Sequence, residues 1–151
     1  EPAVGTTCLY FSMDKAPTSD PILYLDGDNR GTIVNNCCFP SNVAPSYAPP
    51  GKALASVSII GVPNDDDSTL EAKVRSELSG WFGADEVSSW NLLRVYRIPY
   101  AQPNQTLPTD FARSNSLGEG LFVAGDHRNS ATFDGALVSG RRAAEAARSE
   151  L

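Results

Sequence analysis

Leu121-Phe122-Val123-Ala124-Gly125-Asp126-His127, joined by a short loop to Asp134-Gly135-Ala136-Leu137-Val138-Ser139-Gly140-Arg141-Arg142-Ala143-Ala144, sets out the order strand, acidic turn, helix. Its first four residues form an uninterrupted apolar run, the pattern of a parallel strand covered on both faces. Gly125-Asp126 ends the run, the loop passes through Asn129 and Ser130, and a helix is expected from Asp134 almost to Leu151. Along that helix Ala136, Gly140, Ala143, Ala144 and Ala147 recur at steps of three and four, so one face is narrow enough to press against a sheet or a ligand. Gly140 costs a helix on the order of 1 kcal/mol against alanine, which points to a close approach there. The start of such a helix presents unpaired N–H groups and a partial positive charge, the makings of a site for anionic or electron-rich groups.

Upstream the texture differs. Thr7, Leu9 and Phe11 alternate with Cys8, Tyr10 and Ser12, and Ala55, Val57 and Ile59 with Ser56 and Ser58, so two strands are expected over 6–12 and 54–60. Between them Ile22–Leu25 leads through Asp26-Gly27-Asp28-Asn29-Arg30-Gly31 into Thr32-Ile33-Val34, a hairpin. The proline-rich run from Phe39 to Gly51 reads as an irregular loop. Ser68 with Glu71 three residues later is a capping-box pattern opening a helix. Leu70, Val74 and Leu78 give it an apolar stripe, Glu71 and Arg75 pair along it, and Gly80 or Gly83 ends it. A last strand over 92–98 is expected to stop at Pro99, with a polar crossing from Pro99 to Ser116. The fold class expected is α+β to α/β: a mixed or antiparallel sheet with one helix over residues 1–113, then a terminal strand-helix unit over 114–151.

Composition narrows the chemistry. The net charge of −6 and the scattered basic residues argue against nucleic acid as a partner, and no apolar run approaches the roughly 20 residues of a membrane span. The three cysteines, Cys8, Cys37 and Cys38, lack the spacing of a redox pair and, with the single His127, of a zinc set; a reducing compartment suits them, and no metal is expected. Asp26 to Gly31 misses the ligand pattern of a calcium loop, and Ser139 lacks the elbow of a Ser-His-Asp hydrolase. Trp81, Trp90, Tyr96 and Tyr100 read as core before ligand wall. Asn104-Gln105-Thr106 matches a glycosylation acceptor by chance.

The terminal strand-turn-helix residues resemble the carboxy-terminal flavin motif of the amine-oxidase and phytoene-desaturase superfamily. Arg94-Val95-Tyr96-Arg97-Ile98-Pro99, the Asn35-Asn36 hairpin exit and the loop from Pro40 to Gly51 are similar to the substrate-domain half of its plant and cyanobacterial members. The resemblance implies that Gly125 and Asp126 approach the pyrophosphate and ribityl chain of FAD, and that Asp134, Gly135 and Ala136 open a helix whose amides face the flavin. It implies a Rossmann-like domain for the terminal unit, hydride transfer on an amine or polyene-like lipid, and a chloroplast location; it assigns no catalytic residue. Missing is the Gly-x-Gly-x-x-Gly turn for the other end of FAD, since Gly118-Glu119-Gly120 precedes a strand and meets Val123 where a third glycine belongs. The start at Glu1-Pro2, without methionine, reads as a cut. The expectation is therefore a carboxy-terminal fragment of a flavin-dependent oxidoreductase, inactive and without cofactor alone, whose partner is an amino-terminal dinucleotide-binding segment, with an open strand edge for a second copy. The alternative is a non-catalytic binding module derived from the same fold.

Overall fold

The structure, a computed structural model, describes residues 3–27, 31–106 and 110–150. Asp28, Asn29 and Arg30 of the expected hairpin, Pro108 of the expected crossing, and Leu151 lie outside these. The chain divides into two compact units, residues 5–99 and residues 1–4 with 100–151. The expected boundary at 113/114 falls inside the second unit.

The first unit is built on a sheet of five strands: β1 (Ala3–Met13), β2 (Leu23–Leu25), β3 (Val34–Cys38), β4 (Ala53–Ile60) and β5 (Asn91–Pro103), in the order β2-β3-β4-β1-β5. β2 pairs with β3, β3 with β4 and β4 with β1, all antiparallel. The period-two alternation decides which face is dry. Thr7, Leu9, Phe11 and Met13 of β1 and Ala53, Ala55, Val57 and Ile59 of β4 are all buried, while their sequence neighbours face the other way. The hairpin forms as expected, closed by the Asp26 N–H donating to the Asn35 carbonyl at 3.1 Å, but its second strand runs on to Cys38.

Helix α2 (Asp67–Phe82) lays Leu70, Val74 and Leu78, all fully buried, into the same core as the dry sheet face. Its cap is Asp66, not Ser68: the Asp66 carboxylate accepts the Thr69 N–H at 2.7 Å and the Ser68 hydroxyl at 2.8 Å. An ionised cap meets both the open amides and the positive end of the helix, which a hydroxyl two positions later cannot do. The helix stops at Gly83, and a short helix α3 (Ala84–Ser88) follows. Arg75 fastens these pieces. It donates from Nε to Glu71 at 2.8 Å, from Nη1 to the Val87 carbonyl at 2.5 Å and from Nη2 to the Trp90 carbonyl at 2.7 Å, and its guanidinium lies 5.0 Å from the centre of the Phe11 ring. Glu77 does the equivalent for β3, accepting the N–H groups of Ile33 and Val34 at 2.8 and 2.9 Å.

Two further expectations give way. The run from Phe39 to Gly51 is not irregular: it holds the one-turn helix α1 (Pro40–Val43) and a 3-10 turn at Pro45–Tyr47, each with proline at its first position, where the missing N–H costs nothing. And β5 does not stop at Pro99 but continues to Pro103. As an outer strand it has one side without ladder partners, and prolines are tolerated there.

Trp90 is buried among Phe11, Phe39 and Phe82, with ring centres 5.8 to 5.9 Å apart, whereas Tyr96 and Tyr100 are exposed, so the aromatic residues divide between core and surface. Cys37 is buried in this core, and burial lifts its thiol from an ordinary value near 9 to about 12.

Two outcomes are expected. Arg75→Met strips two carbonyls and one carboxylate of their donor and lowers unfolding free energy by about 2–4 kcal/mol in urea titration. Because the fold holds Cys37 protonated, its contribution to stability is whole below pH 9 and is lost as pH rises from there toward 12. The urea midpoint should fall across that window, and Cys37 should resist thiol reagents at pH 8 until the chain is unfolded.

Candidate functional site

In the second unit, strands β6 (Ser116–Gly118) and β7 (Leu121–Phe122) form an antiparallel pair. The apolar run beginning at Leu121 was expected as a parallel strand covered on both faces; Leu121 is instead exposed and Phe122 half-buried. Gly118 and Gly120 supply the turn that brings β7 back along β6, a local solution that a run of four apolar residues does not reveal. After β7 the chain makes a 3-10 turn at Asp126–Arg128 and enters helix α4 (Phe133–Ser149).

The start of α4 is held by Thr132. Its hydroxyl oxygen accepts the Gly135 N–H at 2.9 Å, and its carbonyl accepts the Ala136 N–H at 3.0 Å. The two amides expected to face a cofactor are thus bonded to the cap. No backbone bond among the described residues engages the N–H of Phe133 or Asp134, the first two of the helix. Gly135 is required at its position, because a Cβ there would fall 1.9 Å from the Ser130 carbonyl oxygen. Gly125, at φ 155°, meets the His127 imbidazole ring in the same way: a Cβ would lie 2.5 Å from Nδ1. Both close approaches are made by the chain's own atoms. At Gly140 a Cβ would meet nothing within 4 Å, so the expected close approach at that residue has no partner among the described residues.

The residue that ties turn to helix is Ser139, 1% exposed. Its hydroxyl oxygen accepts the Gly125 N–H at 3.1 Å and the Asn115 side-chain amide at 2.9 Å, and the same amide donates to the Val123 carbonyl at 2.8 Å. The Asn115 carbonyl accepts the Val123 N–H at 2.9 Å. Gln105 holds the following loop through both ends of its amide, accepting the Ala131 N–H at 2.7 Å and donating to the Asn129 carbonyl. Sequence reading weighs Ser139 only as a hydrolase serine and Gln105 only within a glycosylation tripeptide, and gives Asn115 no role. A serine on the small-residue face of the helix was the one signal available, and it says nothing of its partners.

Of residues 125–136 only Gly135 is buried; 125–131 and Ala136 are half-buried, and Thr132, Phe133 and Asp134 are exposed. No described residue donates to the Asp126 carboxylate. Arg128 donates from Nη2 to the Ser114 carbonyl, while its buried Nε has no partner among the described residues. The turn and helix start therefore offer a carboxylate and two helix amides along one accessible segment, beside a buried guanidinium N–H that has no partner among the described residues.

In the first unit, the second sheet face carries a groove of about 690 Å³. Tyr10, Tyr47, Leu54, Leu93, Tyr96 and Ile98 give it an apolar, aromatic lining, and Arg94 is its one charged residue. The Tyr10 and Tyr96 rings meet edge to face with centres 5.8 Å apart.

The sequence profile of the flavin-containing amine oxidoreductases matches residues 2–148. Three solved structures share the fold. A protoporphyrinogen oxidase-like protein of Exiguobacterium sp. 255-15 superposes with a TM-score of 0.73 at 14% identity, covering 99% of this chain and 36% of its own. An oxidoreductase of Methanosarcina mazei gives 0.58 at 16% identity, covering 95% and 34%. A protein of Pyrococcus furiosus gives 0.59 at 17% identity, covering 98% and 32%. At such identities the likeness is one of fold, and the chain spans about a third of the length of each. No curated protein matches the sequence.

Ser139→Ala should leave the Gly125 N–H and the Asn115 amide without their acceptor, at a cost of about 1–3 kcal/mol. Hydrogen exchange would read this as faster exchange at the Gly125 amide with the amides of α2 unchanged.

Proposed function

The chain belongs to the family of flavin-containing amine oxidoreductases, and from that premise we propose that it supplies one end of an FAD site and a substrate-facing sheet to an FAD-dependent oxidoreductase. The observation that carries the reading is the accessible segment from Gly125 to Ala136. It joins a carboxylate with no partner among the described residues to the positive end of a 17-residue helix, beside the buried Arg128 N–H that also lacks one there. These fit the polar part of a dinucleotide, whose sugar hydroxyls donate and whose phosphates and ring carbonyls accept.

In this reading Asp126 accepts from a ribityl or ribose hydroxyl, and Gly125 gives the turn its backbone conformation. Asp134, Gly135 and Ala136 form the first turn of α4, where the helix field acts on the electron-rich edge of the ring system; the direct donors there are the Phe133 and Asp134 amides, because Thr132 holds those of Gly135 and Ala136. Ser139 and Gln105 keep turn and loop in place. FAD, when bound, supplies the hydride-accepting chemistry. The open groove of the sheet takes the substrate, an apolar small molecule or lipid-like compound.

The remaining features of the proposal rest on resemblance: kinship with the plant and cyanobacterial desaturase-like members, and the chloroplast as compartment. No helix among the described residues is long and apolar enough to cross a membrane. With no Gly-x-Gly-x-x-Gly turn in its 151 residues, the chain holds one end of the cofactor and needs a dinucleotide-binding segment as partner.

Purified alone, the chain should be colourless and inactive as an oxidoreductase. Joined to a strand-turn-helix segment bearing three correctly spaced glycines, it should show flavin absorbance, and Asp126→Ala in that longer form should weaken FAD binding by about 1–3 kcal/mol. Absence of flavin from both forms would favour a non-catalytic module of the same fold.

A further inference from the structure

The groove on the sheet face holds one charge and little else that is polar. Tyr47, Leu93, Tyr96 and Ile98 expose 64%, 57%, 45% and 42% of their surface, which groups large apolar side chains on a face that water alone would not select. At about 690 Å³ the groove falls within the usual range of small-molecule sites, about 300–1,000 Å³. The rings of Tyr10 and Tyr96, standing on neighbouring strands, give the floor flat aromatic surfaces.

Arg94 sets the polarity. The two other described arginines of this unit each have a carboxylate, Arg75 with Glu71 and Arg97 with Asp67. Among the described residues Arg94 has no acid partner: its guanidinium lies over the Tyr96 ring, 5.5 Å from the ring centre, a contact that spends none of its N–H groups on a hydrogen bond. Among the described residues no Asp or Glu lines the groove. A protonated amine would meet a like charge here with no carboxylate to offset it, whereas a carboxylate would find a two-pronged donor at the rim of an apolar trough.

We propose that this groove binds a flat, apolar, aromatic or conjugated molecule bearing a carboxylate, with Arg94 pairing the carboxylate and Tyr10 and Tyr96 carrying the body. The proposal rests on the reading of this sheet face as the substrate face and narrows the substrate to an anion; it does not depend on flavin being bound.

The test uses the full 151-residue chain and three fluorescent probes with a common ring system: 1-pyrenebutyrate, 1-pyrenebutanol and 1-pyrenemethylamine. Titration by fluorescence anisotropy at pH 7.5 should show the carboxylate binding at least tenfold more tightly than the alcohol, with the amine weakest. Arg94→Gln should abolish the preference for the carboxylate and leave alcohol binding as it was, and Arg94→Lys should keep part of it. Leu54→Trp, placed in the groove, should weaken all three. Equal binding of carboxylate and alcohol, or preference for the amine, overturns the anionic ligand. Failure of every probe, or a dimer by sedimentation at the same concentrations that excludes them, overturns the groove as a small-molecule site. In either case the flavin reading stands or falls separately on the absorbance of the longer form.

Discussion

A single guanidinium organises the first unit. Arg75 reaches from the middle of α2 to the end of α3 and the entry of β5 while lying against Phe11 of β1. The Val87 carbonyl, at the end of α3, already accepts the Trp90 N–H at 3.3 Å, and the Trp90 carbonyl lies at the entry of β5; a backbone carbonyl left bare inside a core is costly. Meeting two of them with one charged side chain, itself balanced by Glu71, fixes where the helices stand relative to the sheet. With α2 committed to one face, the residues alternating outward from β1 and β4 are assigned to the other. The groove is thus a consequence of which face the helix took.

The second unit solves a similar problem with neutral groups. A turn containing Gly125, a loop through Ser130 and a helix start all need their amides satisfied, and Ser139, Gln105 and Thr132 each serve one of them. Buried Ser139 and Asn115 are tolerable because both are bonded, and their mutual bond makes each depend on the other. Among the described residues the one buried side-chain polar atom without a partner, Arg128 Nε, lies in the segment proposed to meet a cofactor. That arrangement keeps the helix field available while the structure around it is closed.

Much of this was legible in the sequence, and the reason is local. β1 and β4 each bury one face, so their alternation survives in the order of residues; the stripe of Leu70, Val74 and Leu78 and the Glu71–Arg75 pair depend only on helical spacing. The errors came where a partner far along the chain decides the outcome. Pro99 fits within β5 because the strand lies at an edge, which no window around Pro99 reveals. Ser68 and Asp66 are both competent caps, and the choice turned on where the chain enters the helix. The run from Leu121 looked like an inner strand because its neighbours were unknown, and the family motif in the same residues was recognisable because it is contiguous. The partners of Ser139 come from Asn115 and Gly125, and only folding brings them together.

The placement of prolines in β5 has a bearing on how the chain behaves in a crowded solution. A thirteen-residue outer strand is long enough to seed unlimited strand-by-strand addition of further chains. Pro99 and Pro103 have no N–H to give to an added strand, and Arg94, with no acid partner among the described residues, sets like charge against like wherever two such strands would lie side by side. The sheet can therefore present a long margin to water without inviting amyloid-like growth from it.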